Sequence, residues 1–113
     1  MESDSGTFVP TGVDFTGNEK AQKTMREVLT LLQPIGPVEL LLNGVIPNDP
    51  SFFIVNDKVP GIELHTQDDR YFWYHHSNAD TMTALNSTEL DLCTVTYATI
   101  AFIVADLDEL LPR

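Results

Sequence analysis

The chain has 113 residues, 17 Asp and Glu against 6 Lys and Arg, and a formal net charge of -11. With 42% hydrophobic and 20% charged residues it can build the core of one small domain, or of a piece of a larger one, and it is not a disordered acidic tail. The charge argues against nucleic-acid and anionic-membrane binding, which need clustered Lys and Arg, and the single cysteine, Cys93, excludes an internal disulfide or a Cys-rich zinc site.

Residues 1–15 lack a helical period and are punctuated by Gly6, Pro10 and Gly12, which predicts a short strand end followed by a loop. A helix follows. Thr16 and Glu19 have the spacing of a capping box, and Ala21, Met25, Val28, Leu29 and Leu32 form one apolar stripe. Pro34 and Gly36 stop it. Val38 to Leu42 is apolar on both faces and suits a central strand. Residues 44–51 form a loop, and Phe52 to Val55 fits a helical turn or a short strand equally. Gly61 to His65 reads as a strand, Thr66 to Arg70 as a polar turn, and the aromatic Tyr71 to His76 as a further strand.

The last element is a helix capped by Asn86, with Glu89 three positions on. Leu92, Val95, Tyr97, Ile100, Phe102, Ile103, Val104 and Leu107 cover nearly its whole circumference, so it belongs inside something larger than itself. The run from Leu92 to Ala105 is shorter than the roughly 20 apolar residues a bilayer needs, so it reads as a core helix and no membrane span is expected. The start, Met1-Glu2-Ser3-Asp4, shows no signal peptide. Helix, three apolar strands and helix predict part of a layered α/β sheet.

The residues able to carry chemistry are few. As a strand, Tyr71 to His76 turns His75 and His76 to opposite faces, so one of the pair enters a given site; the alternative is two hydrogen-bonded histidines at a strand end. Asp4 stands before Gly6, with Glu2 competing on the same face. Asp49 precedes Pro50 as a turn former would, Asp80 and Thr81 suit a turn, and Cys93 sits in an apolar helix as a small core residue. No Gly-rich phosphate loop, Gly-x-Ser-x-Gly elbow or His-Glu-x-x-His is present. A catalytic zinc takes three protein ligands, and these residues amount to half of such a site.

Several segments carry a family resemblance. Met1-Glu2-Ser3-Asp4-Ser5-Gly6-Thr7-Phe8, Phe15-Thr16-Gly17, Leu31-Leu32-Gln33-Pro34 and Val59-Pro60-Gly61 are four of them. His75-His76-Ser77 with Asp80-Thr81-Met82-Thr83, and Ala105-Asp106-Leu107 with Leu111-Pro112-Arg113, complete the set. Together they resemble the co-catalytic two-zinc exopeptidases of the carboxypeptidase and dipeptidase type, across essentially the whole chain. The resemblance implies that residues 1–113 are the C-terminal portion of a three-layer α/β/α zinc-exopeptidase domain with a mixed central sheet.

By that resemblance Asp4 matches the family's late aspartate ligand and His76 its last histidine ligand, each serving a different zinc ion, while His75 is not a ligand. The complete site holds two zinc ions. A His-x-Asp segment and a Glu-Glu pair lie upstream of the matching region and have no counterpart here. They supply a zinc-binding His, a bridging Asp, a zinc-binding Glu and the general-base Glu, so this chain contains no catalytic residue, and its substrate-binding residues stay unknown. The implied reaction is hydrolysis of small peptides by a water activated at the two zincs. The fragment alone is expected to be inactive.

The implied partners are the peptide substrate, the missing N-terminal part of the same domain and a second copy in a homodimer, and the implied location is secreted or lysosomal. Asn56-Asp57-Lys58-Val59-Pro60 stands where the family often reads Ala-Gly-Val-Pro, and the segment around Asp49, which matches the family's loop aspartate, also departs from it. Substrate preference therefore stays open. The competing expectation is a non-catalytic truncated isoform or interaction module; the retention of Asp4 and His76 favours the enzyme. Asn86-Ser87-Thr88 is a glycosylation sequon whose asparagine doubles as the expected helix cap.

Overall fold

The computed structural model describes residues 1–36, 38–42, 46 and 49–113. Its sheet is mixed, as the resemblance implies, and has the order β2-β1-β3. Strand β1 (Pro10–Thr16) runs down the middle. Strand β2 (Glu39–Leu41) pairs with it in parallel, Gly12 opposite Glu39. Strand β3 (Gly61–Thr66) pairs with it antiparallel, Asp14 opposite Glu63.

The middle of the sheet is not where the sequence places it. Residues 1–15 read as a strand end and a loop because Pro10 and Gly12 look like breakers, yet both lie inside β1. Proline is tolerated at the first residue of a strand beside a bulge, and the register shifts between Pro10 and Gly12. Gly12 sits where β2 passes so closely that a Cβ would stand 2.8 Å from the Glu39 carbonyl oxygen. The central strand expected at Val38 to Leu42 is an edge strand among the described residues, with Glu39 and Leu42 exposed.

Helix α1 (Glu19–Thr30) buries Ala21, Met25, Val28 and Leu29, the stripe the sequence predicts. Its cap differs: Thr16 ends β1, and the Asn18 side chain accepts the Ala21 N–H at 3.0 Å instead. Half of the loop expected at residues 44–51 lies outside the described residues, and Ser51 already begins the next helix. Helix α2 (Ser51–Asp57) settles the ambiguity at Phe52 to Val55 and ends on Lys58 in the left-handed region, φ 57°.

Helix α4 (Ser87–Ala105) is capped as expected, the Asn86 side chain accepting the Glu89 N–H at 3.1 Å. It turns Cys93, Thr96 and Ile100 inward. The core joins these to Val13 and Phe15 of β1, Ile62 and Leu64 of β3, and the α1 stripe. Helix α1 packs on β2, α4 packs on β1, and the helices touch, so both cover one face of the sheet. Asp14, Glu63 and His65 belong to the alternate positions facing away from that core.

The Asn86 cap predicts where α4 begins, and the uncharged run from Leu92 to Ala105 is its C-terminal part. By length and composition α4 is long and apolar enough to cross a membrane, a measure that core helices of soluble proteins also meet. The strand predicted at Tyr71 to His76 is instead a helical turn, α3 (Tyr71–Tyr74), entered through a 3₁₀ turn at Asp68–Arg70. Aromatic strand preference reflects packing against neighbouring strands, and none of the three strands pairs with this segment.

Candidate metal-binding cleft

Asp4 and His76, distant in sequence, line one cleft of about 360 Å³. Its walls come from the segment leading into β1 (Ser3, Asp4, Gly6, Thr7, Phe8) and from α3 with the turn after it (Tyr71, Tyr74, His75, His76, Asp80). The approach to β1 is tied to the edge of β3: Glu2 N–H donates to the Ile62 carbonyl at 2.9 Å, and Leu64 N–H to the Glu2 carbonyl at 3.2 Å. Leu64 N–H also meets the Tyr97 hydroxyl at 3.0 Å. Burial is the main reason the Tyr97 phenol is pushed up to about 12. Gly6 then turns the chain at φ +81°, where a Cβ would also collide with the Phe8 ring.

On the opposite wall the chain leaves α3 sharply. Ser77 N–H and Oγ both reach the Tyr74 carbonyl, at 3.0 and 2.7 Å, and Ser77 Oγ accepts the Ala79 N–H at 3.1 Å. This turn puts His76 at φ 54°, a left-handed conformation unusual for a side chain with a Cβ and held here by its surroundings.

The histidines do not face opposite ways. The His75 and His76 rings stack with centroids 3.9 Å apart and 19° between planes, and the Tyr71 ring centroid lies 4.6 Å from that of His75, the rings tilted by 31°. Strand alternation therefore does not separate the pair, because the segment is not a strand. Tyr71, one helical turn before His75, is a cleft residue that the sequence reading misses; the i, i+4 spacing of the two is the signal that identifies it once the segment is helical. Desolvation, then the negative charges of Asp4 and Asp80, raise the Tyr71 phenol above its ordinary value.

Carboxylate oxygen and imidazole nitrogen are both zinc donors, and Asp4 and His76 are exposed at the cleft surface. Thr7 Oγ1, buried in the same wall, has no hydrogen-bond partner. Among the described residues no group of three His, Cys, Asp or Glu side chains lies close enough to hold a metal ion by itself. The donors thus fit zinc in kind, and fall short of a closed site in number. Asp49 is exposed beside α2 and is not among the cleft residues. Cys93 is buried, as a core residue should be; burial and then Glu89 push its thiol up, and it donates to the Phe8 carbonyl at 3.0 Å.

No protein-family model matches the chain. Its fold is that of part of an M28 peptidase. It superposes on the crystal structure of a Peptidase M28 precursor from Shewanella amazonensis with a TM-score of 0.86, covering 97% of this chain and 25% of that one at 23% identity. In sequence the chain is a homologue of carboxypeptidase Q over its whole length. It is 44% identical to carboxypeptidase Q of Mus musculus, 43% to that of Homo sapiens and 41% to that of Xenopus laevis, each match taking in 100% of this chain. The chain spans about a quarter, 24%, of the length of these curated relatives.

Proposed function

We propose that residues 1–113 form the C-terminal part of the catalytic domain of a zinc exopeptidase of the carboxypeptidase or dipeptidase type, with Asp4 and His76 each holding one of two zinc ions. The observation that carries this is the meeting of Asp4 and His76 in one cleft, on a chain homologous throughout to carboxypeptidase Q. The remaining ligands and the general-base glutamate come from the preceding part of the domain. When bound, the zinc pair supplies Lewis acidity to a peptide-bond hydrolysis. This chain's residues orient the site. Asp4 presents its carboxylate from a turn fixed by Gly6, and the Tyr71, His75 and His76 stack holds the imidazole from the other wall.

The same reading accounts for the uncovered apolar surface. Phe102 on α4 is 72% exposed and Leu110 90%, and the rest of the domain covers them. A homodimer and a secreted or lysosomal location belong to this reading by the family resemblance alone. A second reading, a non-catalytic truncated isoform or interaction module, is separated from the first by one experiment. The experiment is to express the longer protein carrying this sequence and measure zinc per chain and hydrolysis of dipeptides, beside residues 1–113 alone. Two zincs and turnover in the long protein, with neither in the short chain, are expected. A long protein without metal or activity overturns the enzyme reading.

A further inference from the structure

The ladder between β1 and β3 closes at Pro10 opposite Thr66, and one more backbone bond, Gln67 N–H to the Val9 carbonyl at 2.9 Å, ends the zipper. Past that point the two chains part. One leads back through Phe8 to Asp4, the other forward through Arg70 to His76. Between the end of the zipper and the cleft, the Arg70 guanidinium lies over the Phe8 ring, 5.1 Å from its centroid. The same guanidinium donates to both carboxylate oxygens of Glu89, at 3.1 and 3.3 Å. Glu89 is itself fixed in the first turn of α4, where its N–H reaches the Asn86 cap, and Phe8 is anchored to α4 by the Cys93 thiol.

On the reading of this cleft as a peptidase metal site, we propose that Arg70 is a positioning residue: a latch that sets the separation of Asp4 and His76. A planar guanidinium can lay its face on an aromatic ring while Nη2 at its edge donates to a carboxylate, and a lysine ammonium has no such face. Arg70 stands at the entry to α3, so its position sets where the Tyr71, His75 and His76 stack begins. Phe8 stands just past the Gly6 turn, so its position sets where Asp4 points. Arg70 acts on the candidate ligands through the segments that carry them.

The test uses the full-length, zinc-loaded protein that carries this sequence, with Arg70→Met, Arg70→Lys and Phe8→Leu. Phe8→Leu keeps bulk and removes the ring face without disturbing the Glu89 pair. Zinc affinity is read by competition with a chromophoric chelator, site geometry by the visible absorption of the cobalt-substituted protein, and folding by calorimetry. Groups that orient metal ligands typically cost roughly 10–100-fold in metal affinity when lost, and each variant is expected to weaken zinc by about that factor and to shift the cobalt bands. Unchanged zinc affinity and cobalt bands in Arg70→Lys and Phe8→Leu, even with a lower melting temperature, overturn the latch; those two variants decide if Arg70→Met does not fold. His76→Ala separates this failure from that of the metal-site reading. Zinc lost there but retained in the latch variants overturns the latch alone, whereas a wild-type protein that binds no zinc overturns both.

Discussion

The imidazoles of His75 and His76 lie face to face, 3.9 Å between centroids, on the same side of a tight turn and in the same cleft as Asp4. One ring therefore supports the other. Replacing His76 with alanine in the long protein is expected to remove one zinc per chain and nearly all turnover. His75→Ala is expected to keep both ions and lose roughly 10–100-fold in metal affinity or rate, as for a group that holds a ligand in place. Zinc content and turnover of the two variants decide it. Loss of metal in His75→Ala with retention in His76→Ala reverses the assignment.

Residues 1–113 expressed alone are expected to bind a hydrophobic dye and to melt without a sharp cooperative transition. Phe72 is 81% exposed, Trp73 69% and Phe102 72%, and large apolar side chains left in water on this scale offer a dye its binding sites. A monomer with a steep melt and no dye binding contradicts this.

The Asn86 cap gives a smaller, calibrated effect. Its side-chain oxygen takes one of the free N–H groups at the start of α4. Asn86→Ala in the long protein is expected to lower stability by about 1 kcal/mol, and Asn86→Asp to restore most of it. Equal stability of wild type and the alanine variant in denaturant titrations removes the cap from the account.

Glu63 gives a pH dependence with a definite sign. Burial first, then the charges of Asp14, Glu2 and Asp4, raise its carboxyl above the ordinary 4.5. The folded protein holds this proton more tightly than the unfolded chain does. Its contribution to stability is thus complete below pH 4.5 and is lost as pH rises through the raised value. Glu63→Gln is expected to make the long protein more stable than wild type at pH 7, with the gap closing toward pH 4. Melting curves across that range check it, and a gap that widens in acid contradicts it.

The first helix and the last were legible because each carries a strong local signal: the Ala21 to Leu32 stripe in one, the Asn86 cap and Glu89 in the other. The sheet's middle strand was hidden because Pro10 and Gly12 mean a loop in isolation and acquire their strand meaning only from the bulge and from β2 alongside. Tyr71 to His76 misled for the opposite reason, since its aromatics favour a strand only where another strand can pair with them. Asp4 and His76 stand out by family likeness rather than by any pattern of spacing. The cleft shared by Asp4 and His76 depends on sheet pairing that no local window of sequence contains. Arg70 was invisible, since a single arginine in a polar turn announces neither Phe8 nor Glu89.

Among the described residues, the order β2-β1-β3 leaves the outer backbone groups of β2 without a strand partner, and β3 shares its far side only with the short bridge to Glu2. Open edges of this kind are templates for pairing with another chain. Released without the rest of its domain, this polypeptide would carry two sites for strand addition, and its first failure on dilution from denaturant would be intermolecular β-association. Turbidity that grows with chain concentration and is suppressed by a charged residue at Leu41 would be the sign of it.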